Sequence, residues 1–152
     1  MLKEIQIQAS RRAYTVRLAR SLGDLQCAQR LRYKVFYEEL HAQGDSQAHE
    51  QQQDSDPFDE ICDHLIVTHG GGAEAIVGTY RLLRQDVAES HDGFYSEGEF
   101  GVRQLIHSKP GHRFLELGRS CVLREHRTKP VLDLLWQGIW NYVRAYRMDV
   151  MF

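Results

Sequence analysis

The segment from residue 113 to residue 147 constrains the fold most strongly, because its pattern predicts a strand, a basic turn and an amphipathic helix in direct succession. Pro130 suits the first turn of that helix, where a missing N–H leaves no hydrogen bond unmade. Apolar residues then recur at three- and four-residue spacing, which predicts one apolar face: Leu132, Leu135, Trp136, Ile139, Trp140 and Val143. A helix N-terminus attracts anions through its free N–H groups and its dipole. The segment therefore predicts a binding site for a phosphate group at the turn.

The length and composition predict one globular domain, over residues 1–152. Of the 152 residues, 42% are hydrophobic and 26% are charged, and the net charge of −2 argues against a nucleic-acid-binding protein. The sequence contains no apolar run of membrane-spanning length and no signal-peptide core, so we expect a cytoplasmic protein, with peripheral contact to the inner membrane face left open. The three cysteines are scattered and the eight histidines show no metal-binding spacing, so we expect free thiols, no metal site and no tightly bound cofactor.

Hydrophobic periodicity predicts the elements of the first half of the chain. A strand over residues 14–19 leads into a helix from about residue 22 to residue 40, with Ser21 as its N-cap. Residues 1–11 are polar and are expected to fray. The segment 41–55 is polar throughout, so we expect a long mobile loop there.

Strands over residues 64–68 and 75–83 flank three consecutive glycines, which predicts a hairpin. A short helix or loop follows at residues 94–100, before the strand and helix described first. The order is β, α, loop, β, β, short helix, β, α. Residues 149–152 have the pattern of the entry to a further strand, so the sequence resembles a domain truncated at its C-terminus.

Charged residues at unusual positions are the candidates for chemistry. Arg81 lies within the otherwise apolar strand VGTYRLL, so it needs an acidic partner if it is buried. Asp56, Asp59 and Glu116 are the candidates for that partner, and exposure at a sheet edge is the alternative. Asp56 and Asp59 could hold an ammonium group of a substrate or form a solvated turn.

Two further pairs have open interpretations at this level. Glu116 and Arg119 lie three residues apart on one predicted strand, so they point to opposite faces unless a β-bulge intervenes. Arg32 and Phe36 lie one helical turn apart. Arg32 could enter a cleft while Phe36 packs, although a solvated arginine is the commoner case on a helix.

Six short sequences, taken in their order along the chain, resemble a known family. They are LRYKVF, DPFD, VGTYRLL, FYSEGEF, LELGRSCV and LLWQGIWNYV, and the resemblance extends over residues 14–152. The set resembles the bacterial ornithine Nα-acyltransferases, which are GNAT-type enzymes, and more distantly the acyl-homoserine-lactone synthases. The resemblance implies an α/β (α+β) GNAT-type acyltransferase fold, with a mixed central sheet flanked by helices. It also implies transfer of a 3-hydroxyacyl group from acyl carrier protein to the α-amine of ornithine, the first step of ornithine lipid biosynthesis.

The same resemblance implies roles for individual residues. It implies that Glu116 and Arg119 are catalytic, with Glu116 as the general base. It places five further residues around the active site: Arg32, Phe36, Asp56, Asp59 and Arg81. The two aspartates would then hold the cationic side chain of the acceptor, and Phe36, Phe94 and Phe100 would line the acyl path.

The basic turn differs from the glycine-rich turn of GNAT enzymes that use acetyl-coenzyme A, whose pattern is [QR]-x-x-G-x-[GA]. Arg127 and Lys129 replace both glycines here, and bulky side chains prevent the close approach of backbone to pyrophosphate. Arg124, Arg127 and Lys129 instead suit the phosphate of phosphopantetheine and the acidic surface of a carrier protein. The expected donor is therefore the acyl-phosphopantetheine of acyl carrier protein.

Two other functions are compatible with the sequence. An acyl-homoserine-lactone synthase would use S-adenosylmethionine in place of ornithine. A non-catalytic module would bind a carrier protein or a lipid surface without turnover, and would tolerate the substitution Glu116→Gln.

Overall fold

A six-stranded mixed β-sheet forms the centre of the structure, a computed structural model that describes residues 7–11, 13–43, 46–70 and 75–152. The strands are β1 (Gln8–Arg11), β2 (Tyr14–Leu18), β3 (Asp63–His69), β4 (Ile76–Arg84), β5 (Phe114–Val122) and β6 (Val150–Met151). They follow each other in this order across the sheet, and every neighbouring pair is antiparallel except the parallel pair of β5 and β6. The mixed sheet expected from the sequence is thus confirmed.

Helices cover both faces of this sheet. They are α1 (Leu22–Tyr33), α2 (Ser46–Gln51), α3 (Gln85–Glu89), α4 (Val102–Ser108) and α5 (Lys129–Tyr146). A π-helical segment, Lys34–Glu39, continues α1, and 3₁₀ turns occupy Pro57–Glu60, Tyr95–Gly98 and Arg124–His126. On β3, Leu65 and Val67 pack in the cluster beneath α5, whereas Ile66 packs in the cluster beneath α1. Because side chains alternate along a strand, α5 and α1 lie on opposite faces of the sheet.

The first predicted elements occur where the pattern places them, with two differences at the flanks. The Ser21 hydroxyl accepts a hydrogen bond of 3.1 Å from the Asp24 amide and caps α1 as predicted. The expected fraying of residues 1–11 is wrong for residues 8–11, because β1 pairs with β2. Residues 1–6 lie outside the described residues. The β3–β4 hairpin is confirmed, although two of its three glycines lie outside the described residues.

The prediction of a long mobile loop over residues 41–55 is wrong in part, because α2 forms within it. His49 of α2 contacts the first helix, with its Nδ1 3.1 Å from the Tyr33 hydroxyl and its ring 5.8 Å from that of Tyr37. The Asp54 amide then donates a hydrogen bond of 3.1 Å to the Gln29 carbonyl. These contacts are made by polar and aromatic groups, so the lack of large aliphatic residues in the segment does not reveal them.

Helix α5 has its apolar residues on two faces rather than one. The residues that pack on the sheet are Val131, Leu134, Leu135, Gly138, Ile139, Tyr142 and Val143. Three members of the predicted apolar face lie outside this set: Leu132, Trp136 and Trp140 are 47%, 54% and 57% exposed. These three follow each other at four-residue spacing and form a separate stripe along the helix. The prediction of one apolar face is therefore wrong for these three residues, which lie apart from the buried face.

Gly138 allows α5 to approach the sheet closely. A Cβ atom at this position would lie 2.8 Å from Cγ2 of Val16 and 2.9 Å from Cδ2 of Leu65, both of which belong to the buried cluster. Because both neighbours are fixed in the core, any larger side chain must push the helix outward.

We expect Gly138→Leu to lower the free energy of unfolding by about 1–3 kcal/mol through overpacking of this contact. Urea denaturation followed by circular dichroism measures the change. Gln137→Leu is the matched control, since Gln137 is the exposed neighbour of Gly138 on the same helix. Equal stability of the two variants would show that the helix does not need this close approach.

The end of the chain adds β6 to the sheet edge, in agreement with the predicted strand entry at residues 149–152. Val150 and Met151 pair in parallel with Phe114 and Leu115 of β5. Within the part of the chain that the structure describes, none of the helices has the length and apolar character needed to cross a membrane.

Candidate active site

A β-bulge in β5 brings Glu116 and Arg119 to the same cavity. In the β4–β5 pair, Arg81 lies opposite Gly118 and Thr79 lies opposite Cys121, so β5 contains one residue more than β4 over this interval. Arg119 lies in the bulge with a φ of 50°. An extra residue in one strand shifts the following side chains relative to the faces of the sheet. The bulge is thus the feature that allows two residues three apart to line the same cavity.

The cavity beside the bulge has a volume of about 200 Å³ and is lined mainly by polar residues. Its walls are Cys62, Arg81, Leu83, Tyr95, Ser96, Glu116, Leu117, Gly118 and Arg119. Both predicted catalytic residues and the predicted Arg81 therefore meet at one place. Among the residues described, no group of three or more histidine, cysteine or acidic side chains could hold a metal ion.

Asp59 is the centre of a buried ionic cluster beneath this cavity. Its Oδ1 accepts hydrogen bonds from Nη1 of Arg32 at 2.9 Å and Nη1 of Arg81 at 3.0 Å. Its Oδ2 accepts from Nη2 of Arg32 at 2.5 Å and from the Gln29 amide at 3.0 Å. Burial opposes ionisation of Asp59. The hydrogen bonds and the charge of Arg32, together with the hydrogen bonds from Gln29 and Arg81, outweigh burial and hold the pKa of this carboxyl well below its usual range.

Asp59 and Arg32, which were predicted to contact the acceptor, are paired within the protein in this structure. A carboxylate has about four acceptor sites, and all four of those on Asp59 are used within the protein. Arg32 is buried and holds Asp54 as well as Asp59, with its Nε 2.8 Å from Oδ2 of Asp54. Neither residue lines the cavity. Their role in this geometry is to position Arg81 and the loop that carries the aspartates.

Asp54 is a member of the cluster that the sequence reasoning missed. Its carboxylate accepts a hydrogen bond of 3.0 Å from the Tyr37 hydroxyl, and its Oδ2 lies 3.2 Å from Nε of Arg119. Its backbone carbonyl accepts from Nη2 of Arg32. Asp54 therefore links the end of the α2 segment to Arg119 at the cavity. The signal in the sequence was the acidic cluster DSDPFDE, in which Asp54 is the first carboxylate.

Within this ionic cluster, Asp56 and Arg119 are the pair most open to solvent, with side chains 18% and 26% exposed. Oδ1 of Asp56 accepts from the Phe58 amide at 2.9 Å and from Nη1 of Arg81 at 2.6 Å. Its Oδ2 lies 3.3 Å from Nη2 of Arg119. Burial opposes the charge of Arg119, but the nearby groups of Asp54, Tyr95 and Asp56 together outweigh it and raise the pKa of this guanidinium.

Glu116 is buried and anchors the segment around the 3₁₀ turn Tyr95–Gly98. Its Oε2 accepts from the Tyr95 amide at 2.9 Å, and its Oε1 accepts from the Ser96 amide at 2.8 Å and from the Ser96 hydroxyl. The guanidinium carbons of Arg81 and Arg119 each lie 5.1 Å from the centre of the Tyr95 ring. Three of about four acceptor sites on Glu116 are thus used, and one remains at the cavity it lines.

The predicted phenylalanine wall of an acyl path is not assembled at this cavity. Phe36 packs against the apolar cluster beneath α1, which includes Val35 and Ile66. Phe100 is 67% exposed and lies outside the cavity lining, and Phe94 is buried with Phe114 in a third cluster. Phe100 thus lies at the surface, and its contact with substrate stays a prediction.

The basic turn before α5 offers fewer anion-binding groups than the sequence indicates. Arg127 donates to the Val122 carbonyl at 2.9 Å and pairs with Glu39 at 2.5 Å, and Lys129 lies 3.1 Å from Asp133. Arg124 is exposed. At the helix start, Pro130 has no N–H, and the amide of Val131 bonds to the Thr128 carbonyl. The predicted phosphate site therefore depends on Arg124 and on side chains that must exchange partners.

Cysteine chemistry is not favoured at the cavity. Burial raises the pKa of the Cys62 thiol to about 12, and burial raises the pKa of Cys121 to about 12 as well. The reactive thiolate is then scarce at neutral pH.

His64 and Asp59 make the stability of the cluster sensitive to acid. Burial lowers the pKa of His64 from its ordinary value of 6.5, while the bond of 3.0 Å between its Nε2 and the Asp59 carbonyl opposes that shift. Unfolded chains bind a proton at His64 more readily than the folded protein, so stability falls as the pH drops through about 6.5. Asp59 has a lowered pKa, so its contribution is lost as the pH drops below about 4.

We expect His64→Gln to remove the loss of stability near pH 6.5, because glutamine can donate to the same Asp59 carbonyl and does not titrate. Urea unfolding at about pH 7.5 and at about pH 5, on either side of the ordinary pKa of histidine, measures the loss of stability on acidification. The loss should be smaller in the variant than in the unsubstituted protein. An equal loss in both proteins would show that His64 is not the group that protonates.

Comparison with known sequences supports the expected family. A family model described as an acetyltransferase (GNAT) domain matches residues 31–137. The L-ornithine N(alpha)-acyltransferase of Rhizobium meliloti (strain 1021) is 53% identical over 140 residues, which is 90% of this chain and 47% of that protein. The protein of the same name from Rhodobacter capsulatus is 39% identical over 144 residues, which is 92% of this chain and 55% of that protein. The chain spans about half the length of these curated relatives.

Comparison with solved structures supports the same fold. FeeM, described as an N-acyl amino acid synthase from uncultured soil microbes, matches with a TM-score of 0.63 at 14% identity, over 91% of this chain and 68% of FeeM. The AHL synthase LasI matches with a TM-score of 0.51 at 16% identity, over 84% of this chain and 67% of LasI. At such identities the likeness shows the fold alone. The GNAT-type fold expected from the sequence is thereby confirmed.

Proposed function

The chain belongs to the GNAT acetyltransferase-domain family, and from that membership we propose that it is an N-acyltransferase that moves a 3-hydroxyacyl group from acyl carrier protein to the α-amine of ornithine. The product would be an N-acyl amino acid, and the reaction would be the first step of ornithine lipid biosynthesis. Support for the acceptor comes from the name of the curated relatives, at 39–53% identity. The proposal concerns the whole protein.

The observation that carries the proposal is the joint position of Glu116, Arg119 and Arg81 around one polar cavity. A carboxylate beside guanidinium groups suits an amino-acid acceptor, which brings both an ammonium and a carboxylate to the site. The cavity of about 200 Å³ is small, so it fits the amino-acid end of the reaction rather than a long acyl chain.

The proposed reaction begins with removal of a proton from the acceptor. The α-ammonium group of ornithine cannot attack a thioester until it loses a proton, and Glu116 accepts this proton at its remaining site, directly or through a water molecule. The free amine attacks the thioester carbonyl carbon and forms the C–N bond of a tetrahedral intermediate. Its C–S bond then breaks, and the second proton lost by the attacking nitrogen passes to the leaving phosphopantetheine thiolate. At the bulge, Arg119 and Ser120 of β5 lie opposite the single residue Tyr80 of β4, and the N–H of Arg119 is our candidate donor to the oxyanion.

The charged residues divide the recognition of the acceptor. Arg119 is the more exposed guanidinium at the cavity, so we assign it to the carboxylate of ornithine. Asp56 retains an acceptor site and partial exposure, so we assign it to the side-chain ammonium. Arg81 holds Asp56 in place through a bond of 2.6 Å. Asp59 and Arg32 support this arrangement from below without contacting substrate.

The donor end is proposed at the turn that precedes α5. Its basic side chains suit the phosphate of phosphopantetheine and the acidic surface of acyl carrier protein. Arg124 is exposed there, whereas Lys129 would exchange Asp133 for the phosphate. Arg127 and Lys129 stand where GNAT enzymes that use acetyl-coenzyme A have small residues, so acetyl-coenzyme A would be a poor donor.

The proposal is tested by mixing the protein with 3-hydroxyacyl acyl carrier protein and ornithine and analysing the products by mass spectrometry. A parallel reaction with acyl-coenzyme A tests the donor. The proposal predicts N-acyl-ornithine from the carrier-protein thioester and little or none from the coenzyme A thioester. Equal product from both donors would contradict the assignment of the basic turn, and absence of product would favour a binding module.

A lactone synthase is the weaker alternative. Its structural counterpart LasI is only 16% identical to this chain, a likeness that supports the fold and not the substrate. A lactone synthase would consume S-adenosylmethionine, so the same assay with that acceptor distinguishes the two functions.

A further inference from the structure

The outer face of α5 presents an apolar stripe that no described element covers. Leu132, Trp136 and Trp140 are 47%, 54% and 57% exposed and follow each other at every fourth residue. The opposite face of the helix packs on the sheet, so the stripe is held outward by the core. We call these three residues the α5 stripe. Trp136 and Trp140 thus expose large apolar side chains to solvent, which is unfavourable unless another surface covers them.

Cations flank the α5 stripe at both ends. Lys129 lies one turn before Leu132, and Arg144 lies one turn after Trp140. Arg147 follows in the exposed C-cap of the helix. Asp133 is the one acidic residue within α5, and both Arg11 and Lys129 pair with it, at 3.0 Å and 3.1 Å. The surface around the stripe therefore has an excess of positive charge.

This combination fits the interface of an anionic bilayer. Amphipathic helices that lie on membranes present tryptophan and leucine on one face with lysine and arginine beside it. The indole ring prefers the headgroup region, where its body is in an apolar environment and its N–H meets water. Anionic lipids attract each nearby cation. A second copy of the chain would need acidic groups to match these cations, and the stripe has only the already paired Asp133.

We propose that the α5 stripe, with Arg144 and Arg147, docks this protein on the surface of a bilayer that contains anionic lipid. The helix lies in the plane of the surface, and the sheet behind it stays in water. Only the outer face enters the headgroup region, because the inner face belongs to the core. The inference does not depend on the proposed acyl transfer.

The two tryptophans of the chain are both in the stripe, so their fluorescence reports its environment directly. The full protein is titrated with vesicles of phosphatidylcholine alone and with vesicles that also contain phosphatidylglycerol. The proposal predicts a blue shift of tryptophan emission with the anionic vesicles only. It also predicts that brominated lipid quenches this emission and that added salt weakens the binding.

Variants then assign the binding to the stripe. Trp140→Gln, with Trp136 kept as the reporter, should weaken vesicle binding by about tenfold. Arg144→Gln should weaken it by about fivefold, in line with the attraction of one cation to an anionic surface. Leu22→Gln is the matched control, since Leu22 is 69% exposed at the start of α1, outside the stripe, and its loss should leave binding unchanged.

Four results would overturn the proposal. Emission that does not respond to anionic vesicles would do so, as would equal binding to neutral vesicles. Emission that is already blue-shifted without vesicles would show that another part of the protein or a second copy covers the stripe, and light scattering would tell these apart. A shift caused by acyl carrier protein but not by vesicles would assign the surface to that partner.

Discussion

Glu116→Gln is expected to lower kcat for acyl transfer by about 100- to 10,000-fold, the usual range for loss of a general base. Glutamine has nearly the same shape as glutamate but cannot take a proton from the ammonium group of the acceptor. Product formation at saturating donor and acceptor, followed by mass spectrometry, measures the change. The remaining activity should rise with pH, because hydroxide and the free amine become more abundant.

The structure also shows why this variant needs a control. Glu116 holds the amides of Tyr95 and Ser96, and a glutamine in its place would turn an N–H toward one of them. Ser96→Ala removes one bond to Glu116 and leaves the carboxylate intact. We expect a loss of about tenfold for Ser96→Ala, because a hydrogen bond to a charged group contributes about 1.5–3 kcal/mol and the amides of Tyr95 and Ser96 still hold the carboxylate. Similar losses of kcat for both variants would reduce Glu116 to an anchor of the 3₁₀ turn.

Arg32→Met is expected to lower the free energy of unfolding by about 3–5 kcal/mol, because it leaves buried carboxylates without their main partner. Arg32 is almost fully buried and binds Asp59 through both terminal nitrogens and Asp54 through Nε. Such a loss is a large part of the whole stability of a domain of this size. Urea denaturation at neutral pH measures it.

The matched control is Arg30→Met, since Arg30 lies on the same helix and is exposed. We expect it to change stability by no more than about 0.5 kcal/mol. A similarly small effect for Arg32→Met would mean that water replaces the arginine in the cluster. The cluster would then be an accessible part of the site rather than its buried support.

Much of the fold was predictable because its signals are local. Ser21 caps α1 through its own hydroxyl. The glycines between β3 and β4 predict a turn independently of how the strands pair. The need of Arg81 for an acidic partner was also visible, because a charge within an apolar strand is costly unless paired. Two of its three candidate partners, Asp56 and Asp59, do bind it.

The remaining features depend on contacts between distant segments. The bulge at Arg119 exists only relative to the register of β4, which no spacing within β5 reveals. The saturation of Asp59 arises from groups on α1 and β4 that meet only in the folded chain. For α5, three- and four-residue spacing fits two neighbouring faces, so the pattern did not tell the buried residues from the exposed tryptophans.

Ornithine and S-adenosylmethionine offered together, in equal amounts with one 3-hydroxyacyl acyl carrier protein, test the central claim most directly. Tandem mass spectrometry of the products identifies the acceptor and the amine that carries the acyl group. The cavity of Glu116, Arg81 and Arg119 predicts acyl-ornithine with the acyl group on the α-nitrogen. An acyl-homoserine lactone, or acylation of the side-chain nitrogen, would contradict the assignment of the acceptor to this cavity.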